Sequence, residues 1–358
     1  MQNPELYDII SVRSIGRSHG MKGWQKMIFD NIEFHGVDEL TDAGDGSYVL
    51  HRAPAALEEH LSEGGVNMNR GATGTELRFV INGGSARITL INESPDTPLM
   101  FTVFYGSVTA GWQHIRKFVE PGEHTIEVPA PSDSFREAIL SGWPDMLYDP
   151  RMVRLVSTVG HWRYVKAEGD IEPPARDMAP RKTMWFYGSS ITHGSLSVLP
   201  ANSFVVRVAE NFGMDYRNCG YAGNCRVEPE IADWLAGQNF SVMVLEMGIN
   251  ILGMDPAEYE KRVRYALKRI AGDNPEKPVI AIDVFFCEDD LRGGGHAGRF
   301  RAILKRAVSE LALPNLHYIN GLNILPNARG LSGDLVHPSP RGVETIASNL
   351  TAIMKSVI

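Results

Sequence analysis

Four short segments hold side chains able to act on an acyl carbonyl. Gly188-Ser189-Ser190 ends an apolar run that reads as a strand, and a serine there would have its hydroxyl held at a sheet edge. Asn218-Cys219-Gly220-Tyr221-Ala222-Gly223-Asn224 follows a second strand, and its glycines let backbone N–H groups face a ligand. Gly248-Ile249-Asn250 follows a third and offers a neutral amide donor. Asp334-Leu335-Val336-His337 precedes the last helix. Asp and His three apart in a turn can lie side by side, so that the carboxylate orients the imidazole. Together these supply a nucleophile, a base with its orienter, and oxyanion donors. Each alone is commonplace. Strand-ending serines abound, Gly-Ile-Asn is usually a turn, and Asp-x-x-His more often serves local capping. Their order and location carry the argument.

The elements that must position them alternate strand, loop and helix five times. Strands are predicted at Met184–Tyr187, Asp215–Asn218, Val242–Glu246, Val279–Phe285 and Leu316–Ile319, with helices near 203–212, 228–237, 256–271, 298–311 and 340–357. Asp255 is the expected N-cap of the third helix, with Pro256 first and Glu258 as the reciprocal capping residue. Ser339 and Pro340 open the last. Such alternation gives a parallel sheet covered on both faces, with ligands at the carboxyl ends of its strands.

The first half reads differently. Leu77, Phe79 and Ile81 alternate, Asn82-Gly83-Gly84 offers a turn, and Ile88 and Leu90 follow. Residues 100–105, 124–128, 153–156 and 162–165 continue the pattern. Period-2 runs with Gly/Pro punctuation predict an all-β sandwich. Residues 167–182 are polar and Pro-rich, the composition of a linker. The expected division is a β-sandwich over 1–170, a linker over 171–182 and an α/β domain over 183–358.

Composition narrows the function. The chain has 358 residues, 35 basic against 43 acidic, a formal charge of −8. That argues against nucleic acid as a partner, since binding it normally needs a basic face. No apolar run is long enough for a membrane span. Met1–Asp8 lacks the basic-then-apolar layout of a secretory signal, which gives a cytoplasmic expectation. Three cysteines form no disulfide framework, and no His-Glu-x-x-His pair or zinc spacing occurs, so neither metal nor cofactor is expected.

On these four segments the carboxyl-terminal half resembles the SGNH hydrolases, also called GDSL-like esterases. The resemblance implies a flavodoxin-like three-layer α/β/α domain with a five-stranded parallel sheet. It maps the nucleophile onto Ser190 and the base and its partner onto His337 and Asp334. The oxyanion donors become Ser190 N–H, Gly223 and Asn250. A jelly-roll-like sandwich ahead of such a domain is similar to two-domain members, many of them carbohydrate or acetyl esterases. The implied activity is hydrolysis of short-chain acyl esters, most plausibly O-acetyl groups on a small-molecule or oligosaccharide substrate, with no cofactor. The alternatives are an acyltransferase using the same acyl-enzyme and a catalytically silent carbohydrate-binding protein. Two departures stand out: the family's Gly-Asp-Ser reads Gly188-Ser189-Ser190, and Ile251 replaces the Asp that often follows Asn. Ser189 is the competing nucleophile.

Other signals are weaker. His193 and Tyr221 are candidate substrate contacts, each weighed against local bonding or packing. Gly293-Gly294-Gly295-His296-Ala297-Gly298 matches a dinucleotide-loop spacing but follows the wrong strand, and reads as a mobile flap. Glu288, Asp289 and Asp290 read as a solvated loop, with a polar substrate border as the sharper alternative. Trp112, Trp143 and Trp162 read as core rather than as a sugar platform, Trp185 as core, and Cys219 and Cys225 as buried fillers. A homo-oligomer is expected from general frequency alone.

Overall fold

The structure, a computed structural model, describes residues 26–358 and, as backbone only, Ser14–Gly16. The Met1–Asp8 segment lies outside the described residues.

Five parallel strands, Thr183–Gly188, Asp215–Gly220, Val242–Glu246, Val279–Ile282 and Leu316–Ile319, form one sheet. Its order is second, first, third, fourth, fifth, the flavodoxin-like arrangement. Every residue of the first four is buried, as expected where helices cover both faces. Alternate side chains of the first strand show why. Trp185 and Tyr187 pack toward helices Pro229–Ala236, Pro256–Gly272 and Gly295–Leu311, whereas Met184 and Phe186 pack toward Phe204–Asn211 and Pro340–Met354. Asp255 caps its helix by accepting from Ala257 and Glu258 N–H. Glu258 does not reciprocate; it accepts from Arg262 Nε one turn on, a charge-assisted i,i+4 pair.

The fourth helix begins at Gly295, three residues earlier than predicted, and this overturns the flap. Gly293 and Gly294 take φ of +113° and +68° to enter it. Asp289 accepts from Ala297 N–H, and Asp290 holds Arg301 with both oxygens. The acidic run is thus tied to its own helix and the next, not solvated as a loop.

Ahead of this, among the described residues, twelve antiparallel strands join into one hydrogen-bonded β-sandwich around a core that includes Phe34, Leu50, Phe79, Leu90, Phe101, Val153 and Trp162. Its central strand, Glu76–Asn92, runs straight through the expected turn at Asn82-Gly83-Gly84. The glycines serve a change of partner instead. Glu76–Val80 pair with Met152–Val156, and Ser85–Asn92 with Gly122–Pro129. Gly84 takes φ +70°, and the facing strand shifts register around Gly169 at φ +126°. That facing strand, Trp162–Glu172, also takes six residues from the expected linker segment. Trp162 is core, but Trp112 and Trp143 are exposed, against the expectation for all three.

The two sheets meet through buried charge. Arg78 binds both oxygens of Asp215 at 2.7 and 2.9 Å and Glu76 at 2.6 Å; Arg154 also binds Glu76, and Tyr148 and Tyr216 donate to Asp215 and Glu76. Burial opposes ionisation of Asp215, but Arg78 outweighs it and holds the carboxyl below the usual range. Among the described residues no helix is long and apolar enough to cross a membrane.

Candidate active site

The first strand ends at Gly188, and the chain turns at once into the short helix Ser190–His193. Ser189 is its N-cap, its Oγ accepting from Ile191 N–H. Ser190 therefore sits at a helix N-terminus, at the carboxyl edge of the sheet. A Cβ on Gly188 would lie 2.2 Å from Thr192 Oγ1, so only glycine lets the strand turn this tightly.

The loop before the last helix brings His337 across. Leu331 and Pro338 bridge its ends, and Ser332 N–H donates to His337 O. Leu335 takes φ +59° at the tip. Asp334 Oδ1 accepts from Ser332 Oγ and from Val336 and His337 N–H, at 2.7–3.0 Å. Its Oδ2 lies 2.6 Å from His337 Nδ1, and His337 Nε2 lies 2.7 Å from Ser190 Oγ. An ionised carboxylate only accepts, so Nδ1 carries the proton and Nε2 presents its lone pair to the serine hydroxyl. Partial burial works against ionisation of Asp334. The N–H of His337, the Ser332 hydroxyl, the Val336 N–H and the His337 ring overcome it and hold the carboxyl below its ordinary range.

Gly223 and Asn250 line the same cleft. Asn250 Oδ1 accepts from Cys225 N–H at 3.2 Å, which turns its Nδ2 hydrogens toward any ligand. Gly223 adopts φ +69°, a left-handed conformation open to glycine at no steric cost. The cleft, about 460 Å³, is completed by Ser195, Leu196, Ala222, Ile249 and Val336, an uncharged wall.

Ser190, His337, Asp334, Gly223 and Asn250 therefore come together. His193 and Tyr221 do not join them. His193 is buried with Nδ1 near Thr73 Oγ1, and Tyr221 is buried with its hydroxyl on Asn69 Oδ1, both turned toward the β-domain. Burial lowers the His193 pKa to about 3, with the Arg52 and His161 charges adding to it. Ser189 is fully buried, its hydroxyl committed to Glu246, which removes it as the competing nucleophile. Cys219 and Cys225 are buried free thiols, and Trp185 is core. Among the described residues no cluster of His, Cys, Asp and Glu is arranged to hold a metal.

Two residues near the site escaped the sequence reading. Glu246, the last residue of the third strand, is buried beneath the Ser190 turn, and burial raises its carboxyl pKa. Its only signal was an acid ending an otherwise apolar strand. Arg52, from the β-domain, donates to the carbonyls of Asn218 and Gly220 at 2.8 and 2.9 Å, bracing the strand that leads into the Gly223 loop. Nothing in its local sequence marks it.

Residues 181–355 match the model of the GDSL-like lipase/acylhydrolase family. Comparison with curated protein sequences finds no match. Among solved structures, the chain is similar to the salicylyl-acyltransferase SsfX3 from a tetracycline biosynthetic pathway. The TM-score is 0.75 at 16% identity, covering 97% of this chain and 98% of that one. A GDSL-like lipase from Bacteroides ovatus gives 0.64 at 15% identity, with the same coverage. A family two carbohydrate esterase from Clostridium thermocellum, in complex with cellohexaose, gives 0.57 at 13% identity over 79% of this chain and 91% of that one. Identities this low establish the fold and nothing finer. Residues 181–355 thus belong to the GDSL-like lipase/acylhydrolase family and have its SGNH fold, with a β-sandwich ahead of them.

Proposed function

We propose that the chain is a serine esterase for short, uncharged acyl groups, with an O-acetyl group on a carbohydrate as the leading substrate. The observation that carries this reading is the hydrogen-bonded chain Ser190–His337–Asp334 at the cleft, with both intervals at 2.6–2.7 Å. His337 Nε2 takes the Ser190 proton as Oγ attacks the ester carbonyl. Asp334 stabilises the imidazolium that forms. The oxyanion is received by Ser190 and Gly223 N–H and Asn250 Nδ2. His337 then protonates the leaving alcohol and activates water to release the acid. The uncharged wall of Leu196, Ala222, Ile249 and Val336 supports an uncharged acyl group. The carbohydrate part rests on fold likeness to carbohydrate esterases such as the one from Clostridium thermocellum.

Acyl transfer is the second reading. The cleft is open and roomier than an acetyl group needs, leaving space for an acceptor alcohol, and SsfX3 is an acyltransferase by name. The test is hydrolysis of p-nitrophenyl esters, acetate through octanoate, by wild type and Ser190→Ala, with and without an added alcohol. Ser190-dependent release that falls with chain length is expected, with the variant down by at least roughly 10⁴-fold. Acyl-alcohol product exceeding free acid would move the assignment to transfer. Folded wild type inert on every ester, or a variant that keeps its turnover, would end the serine mechanism.

A further inference from the structure

We propose that Glu246 is the positioning residue of the nucleophile turn: its carboxylate sets the direction of the Ser189 hydroxyl, and through it the pose of Ser190. This rests on the Ser190 mechanism above. Glu246 Oε2 gathers three donors, all from that turn: Ser189 N–H at 2.7 Å, Ser189 Oγ at 2.6 Å and Thr192 Oγ1 at 3.1 Å. It touches neither the cleft nor His337. Its reach to the turn depends on the first and third strands lying side by side, with Tyr187 opposite Leu245. It also depends on two glycines, since a Cβ on Gly188 would lie 2.7 Å from Oε2 and one on Gly248 3.1 Å from Oε1.

The chemistry of the acceptor gives the contact its direction. Oε2 already accepts the Ser189 N–H, which can only donate, so it faces the turn as an acceptor and the Ser189 hydroxyl spends its one hydrogen on it. Its lone pair is then left for Ile191 N–H, the observed cap at 3.2 Å. With Ile191 capped by Ser189 and Ser189 N–H held by Glu246, the N–H between them, that of Ser190, has no hydrogen bond among the described residues and stays open to an oxyanion. Thr192 is fixed from two sides, its hydroxyl on Glu246 and its carbonyl accepting from Asn218 Nδ2 at 2.9 Å. Ser190 is therefore pinned on both sides, which leaves its hydroxyl for His337 and its N–H for an oxyanion. Glu246 Oε1 lies on the other side, toward Gly248, whose backbone N–H favours the charged form.

The test uses the full chain and four variants: Glu246→Leu, Glu246→Gln, Ser189→Ala and Glu246→Gln with Ser189→Ala. Three quantities are read: the rate constant for covalent labelling of Ser190 by a fluorophosphonate, kcat and KM on p-nitrophenyl acetate, and the thermal midpoint. Glu246→Leu is expected to slow labelling and kcat by about 100-fold, the scale of loss for a displaced reacting group, with KM little changed. Glu246→Gln, which keeps an acceptor oxygen, should recover much of this, to within roughly 10-fold of wild type. Ser189→Ala, a small change unlike to unfold the chain, should also lose about 10-fold, and the double variant should cost no more than the worse single one. Labelling at the wild-type rate by Ser189→Ala, or by a folded Glu246→Leu, would overturn the proposal. So would losses that add in the double variant, or that track only the thermal midpoint. Wild type that neither labels nor turns over would bring down the serine mechanism and this inference together; wild type that labels while the variants keep pace brings down this inference alone.

Discussion

At the residue scale, the proposed mechanism asks one role of each reacting atom, and the hydrogen bonds allow it. His337 spends Nδ1–H on Asp334 and keeps Nε2 for Ser190. Asp334→Asn breaks that division, because an amide can donate to Nδ1 and stabilise the wrong tautomer. Turnover of p-nitrophenyl acetate is expected to fall by roughly 10³–10⁴-fold with the fold intact, and a loss under about tenfold would remove Asp334 from the mechanism. Asn250 has its amide oxygen on Cys225 N–H, and its Nδ2 makes no hydrogen bond among the described residues. Asn250→Ala should lower kcat by about 100-fold with little change in KM. An equal fall in binding and none in kcat would make it a substrate contact rather than an oxyanion donor. These residues were legible in the sequence because their types have chemistry and their blocks follow strand ends. Glu246 was not, since a strand-ending acid looks like a boundary marker. His193 and Tyr221 were misread because nearness in sequence says nothing of direction: each faces Thr73 or Asn69 across the contact with the β-domain.

At the element scale, the loop after the second strand carries Gly223, yet its supports come from the other domain. Arg52 holds the Asn218 and Gly220 carbonyls, Ser62 Oγ donates to Asn224 Oδ1, and a Cβ on Gly74 would lie 2.6 Å from Asn218 Cβ. The β-sandwich is thereby a wall against which the Gly223 loop is set. Arg52→Leu strands these carbonyls in a dry contact and should cost about 2–4 kcal/mol of stability. Because the loop shifts with them, kcat should fall more than the lost stability explains, with Ser190 labelling falling in parallel. Unchanged kcat in a destabilised but folded variant would make Arg52 purely architectural. The parallel sheet was readable since buried strands and capped helices have strong local signatures. The turn forecast at Asn82-Gly83-Gly84 failed because glycine marks backbone freedom, and here that freedom serves a strand changing partners. No local pattern distinguishes the two uses.

At the scale of the whole molecule, the contact between sheets is where acid should act first. His35 is buried there, facing Arg78, Asp215, Glu76 and Arg217, with its ring edge-on to Tyr216. Burial, then the Arg78 charge, lowers its pKa from 6.5 to about 3, although Asp215 and Glu76 pull the other way. His193 is lowered likewise. Below pH 6.5 the unfolded chain protonates these rings while the folded chain does not. Their share of stability is complete above pH 6.5 and drains as pH falls toward 3, by about 1.4 kcal/mol per pH unit for each. Buried carboxyls with raised pKa values, Glu33, Glu228 and Asp283 among them, slope the opposite way, so the total curve mixes both signs. A difference isolates the histidine. His35→Phe keeps a ring against Tyr216 and removes two ring nitrogens that have no hydrogen-bond partner among the described residues. Relative to wild type, it should gain about 2 kcal/mol on going from pH 7 to pH 5, measured by urea unfolding at both values. A stability difference that is the same at the two pH values would mean that His35 titrates normally, and that the contact between the domains opens to water well before either domain unfolds.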